Sequence, residues 1–184
     1  MKSIIEKDSF LESLYNQKRS MMLKVVCKYI HEPDMREDVF HEVFIRLIKC
    51  ENKLRKMTSE KIDAFIILII RYVAIDYYRK MHYDNTVTFE NDVLLNIIAR
   101  KEMETGQYVN TFRKVELAMM MQQLTEEERI LIIGRYYLGL STAELCEIIG
   151  GSPERIRTRL FRAKERLHVL WQQSGVKMED FLNG

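Results

Sequence analysis

Proline and glycine are scarce. Only 2 and 7 of them occur in 184 residues, too few turn-formers for a many-stranded fold, so the chain is expected to be all-α. Cysteine is equally thin: Cys27, Cys50 and Cys146 are odd in number and far apart, with no CxxC pair. That argues against both a disulfide framework and a zinc site. His31, His41, His82 and His168 form no ligand constellation either. Long apolar runs are missing too, since the longest uncharged one, Ala64 to Ile70, ends at Arg71, far short of the ~20 residues that span a bilayer. No membrane insertion is expected. The opening residues, MKSIIEKDSF, lack the apolar core of a signal peptide, and a reducing cytoplasm is the expected location. There is no P-loop, no Rossmann glycine pattern, no HExxH and no nucleophile elbow, so neither catalytic residues nor a cofactor are expected.

What the chain does have is an uneven distribution of charge. The net charge of +2 conceals a stretch from Ser152 to Trp171 in which Arg155, Arg157, Arg159, Arg162, Lys164 and Arg166 face only Glu154 and Glu165, leaving +4. The preceding stretch, Leu124 to Ile149, sets Arg129 and Arg135 against five glutamates and stands at −3. The boundary between the two is a turn. Ser141 with Glu144 forms a capping box that starts a helix near Thr142, and Gly150–Gly151 supplies the left-handed residue that closes it. Ser152 then offers an N-cap oxygen, and Pro153 sits where its missing N–H costs nothing. Two short helices joined so tightly, the second cationic, make a helix-turn-helix. Ile156, Leu160, Ala163, Leu167 and Leu170 form the apolar stripe that packs the second helix, and its guanidinium groups suit phosphates and guanine edges.

Further upstream, apolar residues at three- and four-residue steps predict an amphipathic helix from Asp8 to Ile30. Asp34 with Glu37 resembles a cap for a second helix, whose stripe Val39, Phe40, Val43, Phe44, Leu47 and Ile48 runs to about Lys49. Cys50 to Ser59 reads as a polar loop, basic through Lys53, Arg55 and Lys56. Glu60 to His82 predicts a long buried helix. Periodicity fades from Tyr83 to Tyr108, an acidic stretch taken as a linker, and resumes with helices over Val109 to Leu124 and from Thr125, capped with Glu128, to Leu138. The organisation is therefore two small helical domains, 1–82 and 109–184, joined by a linker over 83–108.

With these residues in place the chain resembles the sigma-70 family of bacterial RNA polymerase sigma factors, specifically the extracytoplasmic-function (ECF) group. The family's D-x-x-x-E-D-hydrophobic-hydrophobic-Q-E-x-F pattern is met by Asp34, Glu37, Asp38, Val39, Phe40, His41, Glu42 and Phe44, with His41 replacing the usual glutamine. Its I-D-x-x-R helix end appears as Ile75, Asp76, Tyr77, Tyr78 and Arg79. The C-terminal pattern is met by Leu124, Arg129, Arg135, Tyr136, Gly139, Ser141, Glu144, Leu145, Gly150, Ser152, Arg159, Leu160, Arg162 and Ala163. The resemblance implies a transcription initiation factor without catalysis of its own, whose partners are core RNA polymerase and promoter DNA. Asp38, His41, Glu42 and Phe44 would meet the clamp helices of the largest subunit. Asn52, Lys53, Arg55 and Lys56 would hold a flipped base of the −10 element, with Arg71, Tyr78, Arg79 and Lys80 near phosphate or the displaced strand. Ser152, Arg155, Arg157, Thr158, Arg159 and Arg162 would read the −35 element while the second domain sits on the polymerase flap. An anti-sigma factor is a further candidate partner.

Tyr72, Tyr77 and Tyr78 admit a second reading, as amphipathic core residues with wet hydroxyls. Two other function classes also share these features. A free helix-turn-helix regulator would need a dimer interface or a signal-receiving domain in the first half, and a module that sequesters an anti-sigma factor would use the same apolar faces.

Overall fold

The computed structural model describes residues 2–81 and 117–173, with side chains from Phe10 onward. Among the described residues every regular element is helical. The chain divides into two compact units, the first built by the helices up to Lys80 and the second by most of the chain from residue 117. The acidic stretch 83–108 expected as a linker, and residues 109–116 of the helix expected after it, lie outside the described residues.

In the first unit α1 (Lys2–Tyr29), α2 (Pro33–Lys49) and α4 (Ser59–Lys80) all pack on one another, with the short α3 (Glu51–Leu54) against α2. Helix α4 is buried on every side from Ala64 to Ile75, as its nearly unbroken apolar sequence requires. Met22, Val26, Val43, Leu47, Ile66 and Ile70 are fully enclosed, and each such aliphatic side chain stabilises the fold by about 1.5–3 kcal/mol. The turn between α1 and α2 is closed by side chains from elsewhere. Arg36 Nε donates to the Ile30 carbonyl at 3.0 Å, and the Tyr78 hydroxyl donates to the Tyr29 carbonyl at 3.0 Å, so carbonyls left over at the end of α1 find partners.

In the first unit three boundaries differ from the sequence expectation. Helix α1 begins at Lys2 rather than near Asp8, there being no proline or glycine before Phe10 to stop it. The cap of α2 is not Asp34 but Glu32, because Pro33 occupies the first helical position, where its fixed φ suits the helix; Asp34 then lies in the first turn, facing the positive end of the dipole. The segment Cys50 to Ser59 is not all loop. Leu54, fully buried, and Glu51, buried against Arg55, anchor the single helical turn of α3.

In the second unit a helix over 117–122, α5, precedes α6 (Glu126–Ile132), whose capping box is complete: Thr125 Oγ1 accepts from the Glu128 N–H, and a Glu128 carboxylate oxygen accepts from the Thr125 N–H at 2.8 Å. The expected continuation of α6 to Leu138 is instead a π-helical turn, Ile133–Tyr137, in which the Leu138 N–H donates to the Ile133 carbonyl at 3.0 Å. Beyond it Gly139 takes a φ of +66°, and Leu138 and Leu140 on either side are both buried. Helix α7 (Thr142–Ile149) and helix α8 (Pro153–Gln173) follow, and α8 packs on α6.

Candidate nucleic-acid interface

The helix-turn-helix is assembled from local signals. The Ser141 hydroxyl accepts from the Glu144 N–H at 3.2 Å, and the Glu144 carboxylate accepts from the Ser141 N–H at 2.7 Å. Gly150 and Gly151 end α7 with φ of +76° and +92°, a left-handed pair that side-chain-bearing residues adopt only under strain. Helix α8 then opens with Ser152 Oγ accepting from the Arg155 N–H at 3.3 Å. Glu154, in its first turn, is held below the usual carboxylate range by its own backbone N–H, then by the Ser152 hydroxyl, and lies 3.5 Å from Arg157. A charged carboxylate suits that end of the helix.

The structure sorts the cations of α8. Arg155, Arg157, Arg162 and Lys164 are exposed, as is Phe161, at 63%. Thr158 is exposed but its hydroxyl donates back to the Glu154 carbonyl at 2.9 Å. Arg159 points inward, paired with Glu127 of α6, and Arg166 lies 3.6 Å from Glu128 and donates to the Gln123 carbonyl at 3.3 Å. Ile156 and Ala163, of the expected stripe, are buried, while Leu160, Leu167 and Leu170 are half-buried. The outward face therefore carries an unbalanced positive charge beside an exposed ring, a surface suited to phosphate and base edges.

In the first unit Asp38 and His41 are exposed on α2. Glu42 is half-buried and accepts from Arg46 Nε at 2.7 Å; Phe44 stacks edge-on to Tyr15 with centroids 5.2 Å apart. The structure adds two residues. Ile45, 48% exposed, was absent from the expected stripe, and Ile48, 44% exposed, was expected inside it. Asp38, His41, Ile45 and Ile48 are spaced i, i+3, i+7 and i+10 and so share one face of α2. That spacing, read apart from the stripe centred on Val43, is the signal that would have found them.

The basic segment after α2 divides similarly. Asn52 and Lys56 are exposed and Lys53 is half-buried. Arg55 is held: its guanidinium pairs with the buried Glu51 at 2.8 Å and lies 4.4 Å from the centre of the Phe10 ring. Two residues expected at DNA are not at the surface. Arg71 is only 1% exposed, with its guanidinium over the Tyr29 ring, because its position in α4 falls within the fully enclosed stretch. Tyr78 is buried, and that burial pushes its phenol above the ordinary tyrosine value. For Tyr78 the core reading is the one the structure adopts, with its hydroxyl serving the α1–α2 turn. Arg79 and Lys80 are exposed; Lys80 is paired with Asp76 at 2.9 Å, and that hydrogen bond raises its ammonium above the usual lysine value.

Among the described residues no helix is long and apolar enough to cross a membrane. Residues 14–82 match the family described as Sigma-70 region 2, and residues 114–167 match Sigma-70, region 4. The chain is also similar to the ECF RNA polymerase sigma factor SigL of Mycobacterium tuberculosis, 23% identical over 169 residues that span 91% of this chain and 92% of that one. Two Bacillus subtilis proteins are comparably similar. The RNA polymerase sigma factor YlaC is 24% identical over 159 residues, 85% of this chain and 89% of its own. The ECF RNA polymerase sigma factor SigX is 24% identical over 174 residues, 92% and 86%.

Proposed function

Because the chain belongs to the sigma-70 family of RNA polymerase sigma factors, in its ECF group, we propose that it binds core RNA polymerase, directs it to promoters with −35 and −10 elements and helps open the −10 region. It carries out no chemistry itself and works where the polymerase works, in the cytoplasm. The observation that carries this reading is the presence, in order on one chain, of both region matches, the second ending in a helix whose outward cations are unbalanced.

In this reading the exposed row of α2, with Asp38 and His41 continued by Ile45 and Ile48, meets the polymerase clamp, and Glu42 and Phe44 shape that face from behind. Mixed apolar and charged side chains are the composition of a docking surface whose partner buries its centre. Asn52, Lys53 and Lys56 face the opened −10 strand, with Arg55 bracing the segment through Glu51 and Phe10. Arg79 and Lys80 supply positive charge at the end of α4, while Arg71 and Tyr78 support that helix from inside. Ser152, Arg155, Arg157, Thr158 and Arg162 meet the −35 element. An anti-sigma factor would compete for the same α2 row. Base extrusion costs a few kcal/mol, which polymerase binding and the capture of the base together offset.

Polymerase docking separates this from a free helix-turn-helix regulator. Mixed with purified core polymerase, the protein is expected to co-elute with it on gel filtration, and Ile45→Glu with Ile48→Glu to abolish co-elution without lowering the melting temperature. Failure of the native protein to join the polymerase, together with tight binding of a palindromic duplex on its own, would select the regulator instead.

A further inference from the structure

The arginines on α8 do not act as one set. Arg155, Arg159, Arg162 and Arg166 recur at i, i+4, i+7 and i+11 and so run along one side of the helix. Alternate members of this row are engaged by the protein itself: Arg159 by Glu127, and Arg166 by Glu128 and the Gln123 carbonyl. Arg155 and Arg162 are exposed, and so is Arg166 despite its contacts; Arg159 alone of the four is half-buried. Side-chain exposure of 23% for Arg159 and 18% for Glu127 sets their pair apart from an ordinary surface bridge, since partial shielding from water strengthens the attraction.

We infer that Arg159 is a positioning residue for −35 recognition: locked to Glu127, it fixes the orientation in which α6 presents α8 to DNA. The inference rests on the reading that α8 meets the −35 element. Apolar packing gives α8 few fully enclosed anchors, because only Ile156 and Ala163 of its stripe are fully buried while Leu160, Leu167 and Leu170 are half-buried. An ion pair is directional where such packing is not, and bidentate contacts to base edges tolerate little displacement. For Arg159 to reach DNA it would have to abandon Glu127, whose carboxylate is half-buried beside it. Sequence selectivity thereby comes to depend on Glu127, a residue outside the helix-turn-helix.

The test combines run-off transcription on a responsive promoter and its single-base −35 variants with thermal melting. It compares the native protein with Arg159→Ala, Glu127→Gln, the double variant, and the charge exchange Glu127→Arg with Arg159→Glu. Both single variants are expected to lose −35 discrimination by about 3- to 10-fold, the double variant to be no worse than either, and the exchange to restore part of the loss. If Glu127→Gln keeps or improves transcription while Arg159→Ala weakens it, Arg159 touches DNA and the inference fails. A lower melting temperature with unchanged discrimination also overturns it, since the pair would then serve stability alone. A native protein indifferent to every −35 change would instead overturn the functional reading on which the inference rests.

Discussion

Arg155 and Tyr78 illustrate how the surroundings of a polar side chain decide its task. Arg155 stands exposed in the first turn of α8, where its guanidinium can pair with a base edge. Arg155→Ala is expected to weaken use of the −35 element by ~1 to 3 kcal/mol, with the loss concentrated on one base position, measured as transcription from promoters varied there. An equal loss on every variant would assign the residue to phosphate. Tyr78 is expected to act on stability. Its hydroxyl donates to the Tyr29 carbonyl and accepts from the His31 N–H at 3.4 Å, so Tyr78→Phe should cost about 1 kcal/mol in chemical denaturation at neutral pH. Burial raises its folded pKa above the ordinary value of 10.0. Below that value the phenol is neutral in both states and its contribution is complete; as pH rises through the folded value the contribution is lost, because the unfolded chain ionises first. The gap between native protein and variant should therefore narrow above about pH 10, and a constant gap would contradict the assignment.

Elements formed where a few adjacent residues carry the whole signal. The Ser141–Glu144 box starts α7 within the chain's own reach, and Ser141→Ala should remove about 1 kcal/mol of stability by thermal or urea unfolding, while Thr142→Ala, lacking the cap hydrogen bond, should change it much less. Equal effects would mean that the cap does not hold the helix. Such local features were legible in the sequence: the two boxes, the glycine pair, Ser152 with Pro153, and the long buried α4. The features that escaped are those set by neighbours distant in the chain. Arg159 carries the same type and spacing as Arg155, and only the placement of α6 turns one inward and leaves the other out. Ile48 looks like core until Val43 and Leu47 claim the buried side of α2, and Ile45, outside the stripe, gains a role only beside it on the exposed face. Arg71 looks like the charged end of an apolar run, yet the packing of α1 and α2 on α4 encloses it. The π-helical turn after Ile132 has no local signature beyond the buried Gly134.

For the whole molecule, charge separation sets the expected behaviour. Among the described residues the outward cations lie on α8 and at the ends of α2 to α4, with others on α1 at Arg19, Lys24 and Lys28 and at Arg135, while the net charge is only +2. Free protein should therefore bind duplex DNA weakly, with affinity falling steeply between low and physiological salt, as fluorescence anisotropy would measure; salt-resistant binding of a duplex by the isolated chain would contradict this. In the proposed reading, specificity belongs to the assembly with polymerase, in which two modest surfaces would act at once and gain from their linkage. The most direct measurement is run-off transcription with purified core polymerase, with and without the protein, on genomic fragments that include the DNA upstream of its own gene. Discrete transcripts that appear only with the protein, and vanish when the bases some 35 positions upstream of the start are scrambled, are the predicted result; stable polymerase binding that yields no transcript from any fragment would contradict the account.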